Sequence, residues 1–159
     1  MSFESVTDQK LQVLRDIPKR LTNPQHKKKA KEGHEELNYL AINADAPSLE
    51  EAQYRFMIFI RKNLKDPKGF SCGILWQSGG ELLTLARYNG ANHRHDPAVY
   101  QCHVHKMREQ DLRQGKKEPT FVEVTNSFKT VEGAFHQMAQ DFHITGITTT
   151  PDDPDLFNT

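Results

Sequence analysis

Between residues 93 and 105 the chain reads HRHDPAVYQCHVH, which places four of its eight histidines within thirteen positions. They fall into two His-x-His pairs, His93 with His95 and His103 with His105. Imidazole titrates near neutral pH through two distinct ring nitrogens, so such a cluster permits three kinds of chemistry. The first is metal binding. A His-x-His pair on a strand presents two nitrogens on one side, and zinc, iron or nickel would draw further ligands from His93, His95, Asp96 or Glu81. In that alternative zinc or another divalent metal is the cofactor, held by His93, His95, His103 and His105.

The second is phosphodiester chemistry with no cofactor. Two imidazoles flanking a phosphate serve as general base and acid, and a cation such as Arg87, Arg94 or Lys106 stabilises charge growing on the phosphoryl oxygens. RNA is the natural substrate, because its 2′-hydroxyl is an internal nucleophile, and Tyr88 or Tyr100 would stack a base if exposed. A place in the core is the competing reading for Tyr100. The third is binding without turnover, to a nucleic acid, a small anion or a protein partner. The lysine-rich segment from Lys27 to Lys31 would add charge to such a surface, or simply form a solvated loop.

The elements around these residues decide where they point. Along VYQCHVHKM, residues 99 to 107, alternation sends Tyr100, Cys102 and Val104 to one face and Gln101, His103 and His105 to the other. The first set suits a core, so the paired histidines are expected on a solvent-facing surface away from it. Upstream, ELNYLAINA, YRFMIFIRK, FSCGILWQ and ELLTLARYNG each alternate as strands, separated by an Asp45-to-Ser48 break, a DPKG turn and an SGG hairpin turn. Asn89-Gly90 reads as a further turn. TDQKLQVLRD is a short helix capped by Thr7 and stopped by Pro18. Thr130 caps a second helix, whose Val131, Phe135, Met138 and Phe142 form an apolar stripe. FVEVTNSF allows one more short strand, and REQDLRQGKKEPT is loop or brief helix. Five lysines between Lys19 and Lys31 mark a polar stretch.

The expected fold is α+β: an antiparallel β-meander of about four to five strands, a C-terminal helix packed on one face, and a short N-terminal helix. One domain covers residues 1–146, and 147–159 read as a tail. The 159 residues suit one core, and zero formal net charge gives no whole-molecule attraction to nucleic acid or membrane. No apolar run approaches the roughly 20 residues that cross a bilayer. The N-terminus shows no secretory pattern, so a cytoplasmic location with Cys72 and Cys102 as free buried thiols is expected.

The segments IFIRKN, GFSCGILW, LARYNG, HRH and CHVHKMRE together resemble a family of small uncharacterised bacterial proteins. Its members carry an Arg-Tyr-Asn-Gly motif followed by a histidine loop and a His-x-His strand. The resemblance runs from about Pro18 to Phe142. The strand-rich middle and histidine-bearing end are also similar to toxin components of bacterial toxin–antitoxin pairs. These resemblances imply a bacterial cytosolic setting, RNA or another nucleic acid as target, and a small antitoxin-like protein as partner. The leading expectation is a nucleic-acid-directed, ribonuclease-like protein with His93, His95, His103, His105 and Arg87 in its site. Divalent-metal binding and a non-enzymatic interaction domain are the alternatives.

Overall fold

Helix α1, Asp8–Asp16, begins where Thr7 accepts a hydrogen bond from the Lys10 amide through its side chain, and it ends at Ile17 just before Pro18. The chain then enters the short strand β1, Lys19–Leu21, and after it β2, His26–Lys28. Four long strands follow: β3, His34–Asn43; β4, Arg55–Asn63; β5, Phe70–Ser78; and β6, Glu81–Asn89. The β5–β6 hairpin turns through Gly79 and Gly80, both at positive φ (59° and 85°), the conformation a tight two-residue hairpin requires. A small hairpin of β7, Arg94–His95, and β8, Ala98–Val99, leads to β9, His103–Lys106. Then come α2, Glu109–Arg113; β10, Phe121–Val124; α3, Val131–Asp141; and β11, Ile144–Thr145. This computed structural model describes residues 3–22, 26–28, 32–92, 94–95 and 98–146.

Among the described residues nine strands form one sheet in the order β10-β9-β6-β5-β4-β3-β1-β11, with β2 also pairing β3. The run from β3 to β10 is the expected antiparallel meander, interrupted by the β7–β8 hairpin before β9 and by α2 before β10. The sheet is wider than the expected four to five strands. The additions are short: β1 and β2 join β3, β10 joins β9, and β11 pairs with β1 in parallel. β10 falls in FVEVTNSF, which the sequence allows as a short strand; the others, of two or three residues, carry too little alternation to be read locally, and their pairing partners supply the missing order.

Alternation sends Leu37, Tyr39, Ala41, Phe56, Ile58, Ile60, Cys72, Ile74, Tyr88 and Val104 into the core, where Val131, Phe135 and Met138 of α3 meet them. Helix α3 packs on β4, β5 and β6. Aromatic contacts tie it down: Phe135 of the helix lies 6.2 Å from Tyr39 between centroids, and Phe128, ahead of the helix, lies 6.0 Å from Tyr88. Cys72 and Cys102 are buried free thiols, as expected.

Lys19 opens the lysine-rich stretch that the sequence leaves open between a solvated loop and a turn of helix; it lies in strand β1 and is 0% exposed. Its Nζ donates to the carbonyls of Arg15, Ile17 and Phe142 at 3.1, 2.9 and 2.7 Å. The ends of α1 and α3 converge there, and the negative poles of both helices face the ammonium.

Candidate functional site

The face of the sheet opposite α3 carries a largely polar row in register. Glu36, Arg61, Ser71, Asn89, His103 and Val124 stand directly across from one another on successive strands. A second row runs Asn38, Phe59, Gly73, Arg87, His105 and Val122. Cross-strand neighbours of this kind bring Cβ atoms to about 4.5–5.5 Å. Arg87 therefore faces His105, and Asn89 faces His103. Gly73 leaves room for Phe59, since a Cβ there would lie 2.6 Å from its ring. Arg61 stacks over that ring at 4.3 Å and donates to Glu36.

The histidines occupy the expected face but not an exposed surface. His103 is 0% and His105 4% exposed, which corrects the solvent-facing reading. Alternation fixes only the face; on that face the two rings pack edge-on against each other, with Arg87 and Asn89 beside them on β6 and Val122 and Val124 on β10. β8 also touches β10.

Both His103 nitrogens are engaged. Nδ1 lies 2.8 Å from the Gln101 carbonyl, and Nε2 lies 3.3 Å from Asn89 Nδ2. Asn89 Oδ1 in turn accepts from the Ser71 hydroxyl at 2.7 Å. The two imidazoles meet edge-on, with centroids 4.9 Å apart and planes at 81°. Arg87 keeps about a third of its side chain exposed (32%), and its Nε is 4.0 Å from a Glu118 carboxylate oxygen.

Other expected participants are placed differently. Lys106 pairs with Ala86 and Phe121 in the ladder, hence on the face opposite the histidines, and its ammonium is 3.4 Å from Glu123. It therefore cannot supply the cation beside them. Glu81 begins β6 at the hairpin end, eight residues before Asn89, so it is roughly 25 Å from His103 at about 3.3 Å per residue and not a shared ligand. Tyr88 points into the core, where its hydroxyl donates to Asp141 at 2.6 Å, so base stacking falls away for it. Tyr100 does the reverse of the core reading: it is 65% exposed and sits at φ 51°. That left-handed residue ends the alternation, which is why β9 starts only at His103.

His93, Asp96 and residues 29–31 lie outside the described residues, and of Arg94 and His95 only the backbone in β7 is described. Ser71 and Asn89 were missed by the sequence reading, although alternation along β6 places Asn89 on the face of Arg87. Among the described residues no group of three or more His, Cys, Asp or Glu is arranged to hold a metal ion. A metal at His103 would have to displace Asn89 or the Gln101 carbonyl. Among these residues, too, no helix is long and apolar enough to cross a membrane.

No known family, curated protein or solved structure matches this chain. The site stands on its geometry.

Proposed function

We propose that this chain acts on nucleic acid, with RNA as the substrate class, as a ribonuclease-like toxin whose partner in a bacterial cytosol is a small antitoxin-like protein. The observation that carries the reading is the direct cross-strand pairing of Arg87 with His105. An imidazole beside a guanidinium is the combination that proton transfer at a phosphodiester requires: one moves the proton, the other meets the charge on the phosphoryl oxygens. The exposed ring of Tyr100, shortly before β9 begins at His103, offers a stacking platform, and base stacking tolerates any sequence. In this reading the second imidazole of the pair comes from His93 or His95, and His103 stands against His105 from behind.

The test incubates the purified protein with RNA in the presence of a chelator, beside alanine variants of His93, His95, His103, His105 and Arg87. The expected result is cleavage that falls on the order of 100-fold or more in His105→Ala and Arg87→Ala. No cleavage by the parent protein, or equal cleavage by every variant, overturns the proposal. Cleavage that the chelator abolishes replaces it with a divalent-metal site at the His-x-His pairs.

A further inference from the structure

We infer that His103 is a positioning residue, held as its neutral Nδ1–H tautomer by the Gln101 carbonyl and a Ser71–Asn89 relay, and that it orients His105. The role at His105 rests on the function proposed above; the tautomer does not. A carbonyl oxygen only accepts, so the 2.8 Å contact with Gln101 requires the proton on Nδ1. At the other nitrogen the polarity is set from further away. The 2.7 Å spacing between Ser71 Oγ and Asn89 Oδ1 is the usual length of an O–H···O bond, which turns the oxygen of the Asn89 amide towards Ser71. Its NH2 then faces His103 Nε2, and that nitrogen accepts. A second proton on Nε2 would set N–H against N–H.

Burial alone does not separate the two rings, since His103 is 0% and His105 4% exposed. His103 has no exposed surface and both nitrogens in hydrogen bonds, so it has neither access to a phosphate nor a proton to exchange with one. Its ring lies edge-on to His105, 4.9 Å between centroids, and a ring locked on both sides fixes the orientation of its neighbour. The relay reaches across three strands: Ser71 on β5, Asn89 on β6 and His103 on β9. The Arg-Tyr-Asn-Gly stretch thus divides its labour, with Arg87 facing His105, Asn89 holding His103 and Tyr88 buried beneath α3.

Nitrogen-15 NMR of the histidine-labelled chain at neutral pH reads the tautomer directly. The expected pattern at His103 is a neutral ring protonated on Nδ1. A ring protonated on Nε2, or on both nitrogens, overturns the inference. Asn89→Asp, which puts an acceptor opposite Nε2, is expected to convert His103 to the doubly protonated form; an unchanged pattern also overturns it. In the RNA assay, His103→Gln is expected to keep at least a tenth of the parent rate while His105→Gln loses about 100-fold, and equal losses overturn the positioning role. A chain with the Nδ1–H pattern that cuts no RNA overturns the proposed function and leaves the tautomer standing. Cleavage with the wrong tautomer overturns the tautomer alone.

Discussion

Gly90 shows how a single residue serves the site from beside it. Its amide donates to the Phe70 carbonyl at 2.9 Å, and a Cβ at this position would lie 2.1 Å from the Lys68 carbonyl oxygen and 2.8 Å from the Phe70 ring. Backbone cannot yield as a flexible side chain does, so Gly90→Ala is expected to destabilise the fold by about 1–3 kcal/mol. Urea denaturation measures this as a lower midpoint, and an unchanged midpoint contradicts it. The dipeptide Asn89-Gly90 reads as a turn from composition alone, yet Asn89 is buried in the Ser71–His103 relay and Gly90 is there for room. Tyr100 misled in the opposite direction. Alternation assigned it to the core, but its left-handed backbone takes it out of the strand. Such facts depend on what lies across the sheet, and no local pattern carries them.

Helices were readable where their signals are local. Thr7 and Thr130 both cap as expected, with Thr130 Oγ1 accepting from the Gly133 amide at 3.1 Å. Thr130→Ala is expected to cost about 1 kcal/mol, measured as a shift in the unfolding midpoint without loss of the native spectrum. A cost near zero would mean that packing alone fixes the start of α3. The long strands β3 to β6 were equally readable, because nine or ten alternating residues declare both faces. The alternation of β9 was right about which face its histidines share and silent about their burial. Their neighbours on that face come from β6 and from β10, a four-residue strand in a segment with a weak pattern of its own. Sequence periodicity orients a side chain; neighbours decide whether water reaches it.

At the scale of the whole molecule, Lys19 joins both main helices to the sheet edge. Burial pulls its ammonium from the ordinary 10.5 down to about 7, against the opposing pull of Asp16. The unfolded chain keeps that proton up to its ordinary value, so between about pH 7 and 10.5 the unfolded state binds more protons and stability rises with pH. Burial pushes the thiols of Cys72 and Cys102 up, and burial with the Asp141 hydrogen bond pushes the Tyr88 hydroxyl up. Those groups ionise first in the unfolded chain and act in the opposite sense from about pH 9, the ordinary cysteine value. The clean window is therefore pH 7 to 9. There the unfolding free energy is expected to rise by at most about 1.4 kcal/mol per pH unit, and Lys19→Met is expected to remove the rise. Equal slopes in the two proteins, measured by urea unfolding at several pH values, would contradict this.

The parallel pairing of β1 with β11 has a consequence for how the chain is made. The Lys19 ammonium donates to the Phe142 carbonyl, its amide donates to the His143 carbonyl, and its own carbonyl accepts from the Thr145 hydroxyl. As the ribosome releases the polypeptide from its N-terminus, α1 and β1 come out early, with the partners that finish them still more than 120 residues from being translated. The meander from β3 to β6 has no such wait, since each of its strands pairs with the one before. Vectorial synthesis thus supplies the middle of the sheet before its β1 edge, which closes only when the segment after α3 emerges.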